Sequence, residues 1–497
     1  MTRQWKSMRG LAAWTAALVA LGALAGPKTL QARADEKSPK PRIQAGASTS
    51  NITPFFDDPI VGNFTTPPAE YVHDELHARA IVLDDGSTKL AIVVSDSVGV
   101  SREVFDEARK VASEKTGIPA GNMLLSATHS HSATSSRSKN LLIPNAELSP
   151  YQKFLANRVA DVIRQANKNL QPARIGWGAV DVPGQVFNRR WLLKPGTTAK
   201  NPFGGEDRAQ MNPGSNPDKL EPAGPTDPQV SILAIQSPQG KPVALLANYS
   251  LHYVGGVPTG HLSGDYFARF ADRVCQLIGG DDRADPPFVG IMSNGTSGDV
   301  NNNNYAKPSP GLPPYQKMDR VAKEIAEAVA ETYRKMPFFD HVPLAAAHGE
   351  LELATRKPTS EQVEYAKSIL KKPEDAPKYH RLERNYAERT LQQADSPDTI
   401  SVMIQAFRIG DLGIAAIPFE VFAETGLEIK KNSPFKSTFT IELANGTYGY
   451  LPTPRHFPLG GYETWMGTNK VEPEASVKIV KTLMDQFHKL DEQRKAK

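Results

Sequence analysis

The sequence predicts a mixed α/β fold, in which β-sheets are flanked by helices within one large domain. Short apolar runs typical of buried strands alternate with amphipathic helical stretches, and neither an internal repeat nor a linker is visible after residue 46. The chain has 497 residues, of which 39% are hydrophobic and 23% are charged. This composition is typical of a globular protein and excludes wholesale disorder and a polytopic membrane protein.

The first 34 residues have the features of a secretory signal peptide. A basic start is followed by the apolar run 10–26 and then by Ala32-Arg33-Ala34, an A-x-A cleavage site. We expect cleavage after Ala34, a flexible polar leader over residues 35–45, and a secreted or periplasmic location. An uncleaved membrane anchor is the alternative, but Pro27 interrupts the apolar run, and a membrane-spanning helix needs about 20 apolar residues.

The charge balance argues against nucleic acid as a partner. Residues 1–34 contain five basic and no acidic residues, so the remaining chain carries 53 basic against 54 acidic residues. Phosphate binding needs a net basic face, which this balance does not provide. The single cysteine, Cys275, excludes an internal disulfide, and its apolar-periodic surroundings predict a buried helical position.

The first half of the chain begins with a hairpin and continues with alternating helices and strands. Two apolar runs flank Asp84-Asp85-Gly86, a turn sequence that joins antiparallel strands. A serine precedes the first helix and Gly117 ends it, as helix caps do. The predicted elements are strands 78–83 and 89–95, helix 101–116, strand 123–127, helix 151–170, and strands 173–182, 230–236 and 243–249.

The second half adds helices 265–278 and 315–335, two strands within 400–417, and a terminal helix over 474–488. Two stretches depart from this alternation. Residues 195–228 are rich in Gly, Pro and Asn and are long for a passive loop, so we expect a functional or covering loop. Residues 357–394 are charged and helical, and we interpret them as a solvated excursion, with a substrate lid as the alternative.

The strongest candidate for chemistry is the histidine pair His129-Ser-His131, which directly follows the predicted strand 123–127. In extended geometry, residues two apart face the same way at a spacing of about 6–7 Å. Two imidazoles at the exit of a central strand suit a metal or acid/base site. Two polar surface histidines would give the same pattern. Asp96, at the end of strand 89–95, either orients a ligand histidine or forms a turn.

Two further apolar runs end in polar side chains. His252 follows strand 243–249, and Glu420 follows the second strand within 400–417. Taken alone, His252 is more typical of a hydrogen-bonded core histidine, and Glu420 of a helix N-terminal charge. Taken with the histidine pair, they place His, His and Glu at strand ends, where α/β sheets carry their sites.

Motifs of other enzyme classes fail. No G-x-S-x-G elbow and no Walker A loop occurs. Ser136-Arg-Ser-Lys139 matches S-x-x-K and Lys115-Thr-Gly117 matches K-T-G, but their order is opposite to that in the serine penicillin-binding enzymes. We interpret both matches as chance.

The ordered set of motifs resembles the neutral, non-lysosomal ceramidase family, specifically its zinc-bearing catalytic domain. The resemblance covers roughly residues 46–470. The matching segments are His129-Ser-His131-Ser-Ala-Thr for H-T-H-S-G-P, Asn188-Arg189-Arg190-Trp191 for N-R-S-P, Tyr249-Ser-Leu-His252 for F-A-x-H, His261-Leu-Ser-Gly-Asp265 for H-L-x-S-D, Pro418-Phe419-Glu420 for P-G-E-x, and Gly449-Tyr450-Leu-Pro-Thr453 for G-Y-V-T-T, with a second family tyrosine at Tyr462.

The resemblance implies a catalytic domain over residues 46–497 that hydrolyses an amide bond of an N-acyl lipid such as ceramide. It implies zinc as the cofactor, with the ligands His129, His252, Glu420 and Tyr450. It also implies that His131, Arg189 and Tyr462 surround the reacting carbonyl. We expect His131 to transfer a proton to the leaving nitrogen, because its position along the chain makes it a difficult ligand for the same metal.

Departures from the family motifs leave the substrate open. Asn301 stands where the family motif G-D-V-S-P-N has its serine, and only 35 residues follow Tyr462, so we expect no C-terminal immunoglobulin-like domain. Three alternatives follow: a zinc amidohydrolase of N-acyl lipids, a zinc hydrolase of another amide or ester, and an exported metal- or ligand-binding protein without turnover. A lipid substrate would allow peripheral contact with a membrane surface, and the oligomeric state stays open.

Overall fold

The computed structural model describes residues 42–62, 65–134 and 136–495. It contains three units of four β-strands each, and the strand order is the same in all three. The predicted signal peptide, residues 1–34, lies outside the described residues, as does most of the leader. Residues 41–497 cluster as one unit. Within the described residues, no helix combines the length and the apolar character needed to cross a membrane.

The first unit, residues 44–127, confirms the predicted hairpin and extends it. Strands β1 (Gln44–Asn51), β2 (His77–Asp84) and β3 (Lys89–Ser95) are antiparallel neighbours. The chain then forms helix α1 (Arg102–Thr116) and returns as β4 (Met123–Ala127), parallel to β3. A two-residue strand, Gln171–Pro172, pairs with the other edge at β1.

The second unit, residues 174–294, repeats this order of elements. Strands β5 (Arg174–Asp181), β6 (Gln229–Gln236) and β7 (Pro242–Tyr249) are antiparallel, and β8 (Val289–Asn294) is parallel to β7.

The third unit, residues 344–442, repeats it again. Strands β9 (Leu344–Ala354), β10 (Thr399–Ile409) and β11 (Leu412–Ile417) are antiparallel, and β12 (Ser437–Glu442) is parallel to β11. The prediction that the chain contains no internal repeat is therefore wrong at the level of topology, although the residues themselves do not repeat.

Helices connect and cover the three sheets. Polar caps define several of their ends; in α2, for example, Ser149 accepts from the backbone N–H of Gln152 while the Gln152 side chain accepts from that of Ser149. The remaining helices are α2 (Pro150–Lys168), α3 (Asp265–Ile278), α4 (Gln316–Tyr333), α5 (Ser360–Lys371), α6 (Glu383–Ala394), α7 (Ala423–Asn432) and α8 (Ala475–Lys495).

The alternation of apolar residues along the strands explains how the units assemble. One face of each sheet contributes to a shared core, with Ile92 from the first unit, Leu246 from the second and Ile414 from the third. The opposite faces bury their side chains against helices, for example Val93 against Phe105 of α1. The third and fourth strands of each unit are therefore buried on both faces, and their polar ends are left to form a site.

The two irregular stretches are insertions at equivalent places, between the first and second strands of a unit. In the second unit, residues 195–228 add short strands, of which Ala209–Met211 and Lys219–Pro222 pair with Arg190–Leu193. In the third unit, residues 357–394 form α5 and α6. Other short pairs are Ile60–Val61 with Ala133–Thr134, Tyr71–Val72 with His261–Leu262, Phe187–Asn188 with Val300–Asn301, and Ala199–Lys200 with Glu206–Asp207.

Candidate metal centre

His129 lies just beyond β4, where the chain leaves the first sheet. Its backbone has a left-handed φ of 73°, so the extended geometry predicted for the histidine pair is wrong. Two hydrogen bonds hold this conformation: the His129 N–H donates to the Ser97 carbonyl at 2.8 Å, and Nδ1 lies 2.7 Å from the Val98 carbonyl. Because Nδ1 faces a carbonyl, it carries the proton, and Nε2 is the nitrogen able to bind a metal.

The turn at His129 brings the ring of His131 back toward it. Their Nε2 atoms lie 3.1 Å apart, and the His131 ring stacks on Tyr253 with centroids 3.7 Å apart. The buried Nδ1 of His131 has no hydrogen-bond partner among the described residues. The structure thus places His131 within reach of the same metal as His129, contrary to the expectation from chain spacing.

His252 follows the end of β7, and its orientation is fixed by Ser297, which follows β8, and through Ser297 by Glu442 at the end of β12. Its Nδ1 lies 3.1 Å from the Ser297 carbonyl and 3.2 Å from Ser297 Oγ. Ser297 Oγ in turn donates to Glu442 Oε1 at 2.6 Å, and Glu442 Oε2 accepts from the N–H of Val421 at 2.7 Å. One buried carboxylate therefore holds both the serine behind His252 and the backbone beside Glu420.

Glu420 and Tyr450 are register partners in a short parallel pair formed by Glu420–Val421 and Tyr450–Leu451. Glu420 Oε2 lies 3.3 Å from His129 Nε2 and 3.8 Å from His252 Nε2. Both Glu420 Oε2 and His252 Nε2 are buried without a hydrogen-bond partner in the part of the chain that the structure describes. Such atoms are rare in folded proteins, and a metal ion would satisfy both.

Three histidines form a group that can hold a metal. One ring nitrogen from each of His129, His131 and His252 lies within 4.8 Å of the others. Burial, reinforced by neighbouring positive charge, lowers the pKa of both His131 and His252 well below the ordinary histidine value. Both rings are therefore neutral at pH 7, which is the form that binds metals.

The surroundings of Glu420 and Tyr450 shift the pKa of each side chain. Burial acts to raise the pKa of Glu420, but His129, Tyr450 and Arg189 outweigh it and hold the pKa below its ordinary value. Burial also raises the pKa of Tyr450 well above its ordinary value, so the phenol is protonated at neutral pH without a metal. Nitrogen and oxygen ligands of this kind fit zinc.

Arg189 is fixed at the edge of this group by two contacts. Its Nη2 donates to Tyr450 Oη at 2.9 Å, and its Nε donates to Glu463 Oε1 at 2.8 Å. Glu463, which is fully buried, also accepts from Arg190 Nη1 at 2.7 Å. The motif comparison found Arg189 but missed Glu463, although a carboxylate directly after Tyr462 was a visible signal.

Tyr462 lines two cavities beside the candidate metal centre. Its ring centroid lies 5.6 Å from that of Tyr450. A cavity of about 280 Å³ includes Glu420, Tyr450 and Tyr462, and another of about 240 Å³ includes Tyr462 and Trp465. All seven residues predicted for the site from the sequence thus lie in and around one region.

The two insertions reach this region. Residues 199–212 contribute to the smaller cavity, together with 380–382, and α6 contributes Arg389 and Gln392 to the larger one. Interpreting all of residues 357–394 as a solvated excursion is therefore wrong for α6, which buries Tyr386 and Thr390 toward the site.

Two other candidates have different environments from those expected. Asp96 Oδ2 accepts from Arg79 Nη1 at 2.6 Å and from the N–H of His77 at 2.9 Å, so its contacts are structural and the Val98 carbonyl orients His129 instead. The side-chain amide of Asn301 donates to Asn212 Oδ1 at 3.0 Å and to Tyr305 Oη at 3.1 Å. The contact with Asn212 connects Asn301 to the insertion 195–228 of the second unit.

The fold and the geometry define a mixed α/β protein with a buried histidine group able to bind a metal. Residues 63–342, more than half of the chain, match the family model described as neutral/alkaline non-lysosomal ceramidase, N-terminal. The chain belongs to this family, which confirms the resemblance found in the motifs. The match includes His129, His131, Arg189 and His252, and it ends before Glu420.

Two curated relatives come from Dictyostelium discoideum. The chain is 28% identical to neutral ceramidase B over 243 residues and 25% identical to neutral ceramidase A over 242 residues. These alignments cover 47% of the chain in each case, but 31% and 32% of the relatives. The chain thus matches about a third of the length of each relative.

Solved structures of ceramidases have the same fold. The crystal structure of neutral ceramidase from Pseudomonas aeruginosa aligns with a TM-score of 0.64 at 17% sequence identity, covering 92% of this chain and 75% of that one. A ceramidase described as complexed with C2 aligns with a TM-score of 0.66, also at 17% identity, over 91% of this chain and 76% of that one. At this identity the likeness concerns the fold alone.

Proposed function

We propose that this protein is an exported zinc-dependent amidohydrolase that cleaves the amide bond of an N-acyl lipid such as ceramide. The observation that carries the proposal is the convergence of Glu420 Oε2 and His252 Nε2, both buried and unpaired in the described chain, on His129 Nε2. Membership of the ceramidase family and the fold shared with solved ceramidases support it.

The proposed zinc ligands are His129, His252, Glu420 and Tyr450. A zinc ion held there would polarise the amide carbonyl and make water nucleophilic at neutral pH. His129 and His252 present their Nε2 atoms to it because the carbonyls of Val98 and Ser297 occupy their Nδ1 sides.

Arg189 and Tyr462 are the proposed donors to the oxygen that becomes negative when water attacks the carbonyl. Glu463 and Tyr450 fix the Arg189 guanidinium before the substrate binds, so little reorganisation accompanies the reaction. A well-placed donor of this kind contributes about 3 kcal/mol.

His131 is the proposed proton-transfer residue. Burial keeps it neutral, so it can accept a proton from the attacking water and deliver it to the departing nitrogen. The stacked Tyr253 ring holds the imidazole in place. Because His131 also lies within reach of the metal, its role as a base and a role as a third histidine ligand must be separated by experiment.

The test compares His131→Ala with wild type and with His488→Ala, an exposed histidine on α8. We expect turnover of ceramide by His131→Ala to fall roughly 100- to 10,000-fold while zinc content stays near that of wild type. The His488→Ala control should match wild type in both measurements.

Two outcomes would contradict parts of the proposal. Loss of zinc in His131→Ala would make His131 a ligand rather than the base. Zinc-loaded wild type that hydrolyses no N-acyl lipid or ester would favour a protein that binds a metal or a ligand without turnover.

A second candidate is a zinc hydrolase of a different amide or ester. Asn301 favours it, because its side chain is engaged with Asn212 and Tyr305 and stands where the family motif has a serine. Parallel assays with acyl esters and non-sphingoid amides distinguish the two candidates.

A further inference from the structure

The larger cavity beside the metal centre gathers positive charge. Its lining includes Arg137 and Lys139 from the segment after the histidine pair, Arg389 from α6, and Lys470. Glu420 is the only carboxylate among the described residues that line it, and this carboxylate faces His129 and His252. The cavity therefore has an excess of positive charge even before a metal binds.

Lys470 makes this excess unusual, because its side chain is buried. Its residue is 8% exposed, and the hydrogen bond of its ammonium reaches an uncharged group, Gln393 Oε1, at 3.5 Å. An ammonium has three N–H donors, and buried ammonium groups are normally paired with an acid. Here the charged neighbours that act on Lys470 are Arg389 and Arg137, both positive.

The surroundings of Lys470 disfavour the positive charge of its ammonium group. Burial, followed by repulsion from Arg389 and Arg137, lowers the pKa of Lys470 to about 8. An anion in the cavity would offset both effects, because it would attract all of these cations. It would also accept hydrogen bonds from the N–H donors of Lys470 that Gln393 does not occupy. Glu420 offsets part of the charge on Arg137, but the charged groups that act on Lys470 are both positive, so its burial costs free energy unless an anion binds.

The cavity also has the size and position of a head-group site. Its volume is about 280 Å³, below the range of about 300–1,000 Å³ for drug-sized ligands, so it accommodates a small polar group rather than an acyl chain. Glu420, Tyr450 and Tyr462 line the same cavity, so a group bound there lies next to the proposed reaction centre.

We propose that this cavity binds an anionic oxygen group, a carboxylate or a phosphate ester, on the amine side of an N-acyl substrate. This inference rests on the proposed amide hydrolysis and narrows its substrate class. The head group of ceramide carries hydroxyls but no negative charge, so it would leave Lys470 without a counter-charge. The protein therefore favours N-acyl compounds with a negatively charged head.

The main experiment uses three substrates with the same acyl chain: an N-acylethanolamine, which is neutral, an N-acylglycine, which has a carboxylate, and an N-acyl-O-phosphoethanolamine. We expect wild type, loaded with zinc, to have a kcat/KM at least about tenfold higher for a charged substrate than for the neutral one. The two charged substrates distinguish a carboxylate site from a phosphate site.

Lys470→Met and Arg137→Gln remove one positive charge each while retaining most of the side-chain volume. Each should lower the ratio of charged to neutral kcat/KM about tenfold. Lys153→Gln, an exposed substitution on α2, removes a charge elsewhere and should leave the ratio unchanged. If Lys470→Met does not fold, as judged by circular dichroism, Arg137→Gln, which alters a half-buried side chain, carries the test.

A binding measurement separates failure of this inference from failure of the proposed function. Calorimetric titration of zinc-loaded protein with inorganic phosphate should show weaker binding to Lys470→Met than to wild type and Lys153→Gln, even if no substrate turns over. Turnover of the neutral substrate at the same rate as the charged ones, with a ratio that neither variant changes, would overturn the anion site and leave amide hydrolysis intact. Equal phosphate binding by wild type and both cavity variants would also overturn it.

Discussion

The second and third units place a side chain in the candidate metal centre at the same point of their architecture, whereas the first unit does not. His252 stands three residues after β7, and Glu420 stands three residues after β11. The equivalent residue after β3 is Val98, which contributes its backbone carbonyl to orient His129. The first unit instead provides its histidines after β4.

This comparison separates what the repeated topology provides from what the individual residues provide. In each unit, the third strand and its parallel neighbour end near the same region, so three pairs of strand ends surround the site. The side chains at these strand ends have two kinds of role. Some can bind a metal, and others, such as Ser297 and Glu442, fix the orientation of the side chains that can bind it.

The largest expected effect comes from disturbing the junction between the second and third units. A methyl group added at Gly298 would lie 2.6 Å from the Glu420 carbonyl oxygen, so Gly298→Ala must push the Glu420 backbone away. We expect kcat/KM to fall about 100-fold or more, because a displacement near 1 Å at a catalytic group has such a cost. Gly311→Ala, which meets nothing within 4 Å, is the matched control.

The same junction predicts sensitivity to acid. Burial, with the positive charge of Arg190, lowers the pKa of His456 to about 4, although Glu424 Oε2 lies 3.4 Å from its Nε2. Burial outweighs this contact, because neither ring nitrogen of His456 has a hydrogen-bond partner among the described residues. The unfolded histidine, with a pKa near 6.5, binds its proton first as the pH falls.

The contribution of His456 to stability is therefore complete above about pH 6.5 and is lost progressively toward pH 4, by about 3 kcal/mol. Urea unfolding of wild type and His456→Gln at several pH values checks this. The wild type should lose more stability than the variant between pH 7 and pH 4.5. Identical pH dependence in both proteins would show that His456 does not titrate in this way.

A smaller effect is expected from the serine that supports His252. Ser297→Ala removes the donor to Glu442 and one of the two contacts to His252 Nδ1, but it leaves the Ser297 carbonyl in place. Zinc affinity should fall about 10- to 100-fold, which is typical of groups that orient metal ligands. Competition with a chromogenic chelator measures this change; an unchanged affinity would assign the orientation to the carbonyl alone.

The smallest expected effect on the metal is that of a substitution at Val98, the equivalent position in the first unit. Val98 takes part through its carbonyl, so Val98→Ala should leave zinc content and affinity unchanged. The lost methyl groups of this buried side chain should lower the free energy of unfolding by about 1–3 kcal/mol. A drop in zinc content comparable to that of a Glu420 variant would show that the side chain at this position matters in all three units.

Much of the fold could be predicted from the sequence, because local patterns determine it. The hairpin of β2 and β3 follows from two apolar runs around an aspartate–glycine turn, and the structure pairs Leu83 with Leu90 in it. The threefold repetition could not be predicted, because each unit satisfies the same topology with different residues and carries an insertion of different length.

The structure brings the predicted site residues together, but its local geometry could not be predicted from the sequence. Strand-end positions and family motifs identified His129, His252 and Glu420, since these side chains follow apolar runs that are easily recognised. The left-handed turn at His129 depends on acceptors from Ser97 and Val98, in another segment of the chain. Likewise, the buried environment of Lys470 depends on α6, which is distant in sequence.

If the three units build one zinc site, elemental analysis of the purified protein will detect the metal. Wild type should contain about one zinc per chain, and His252→Ala should lose it, because the variant removes a ligand while the rest of the site stays. Absence of zinc from wild type after careful metal supply, or full retention by His252→Ala, would contradict the account.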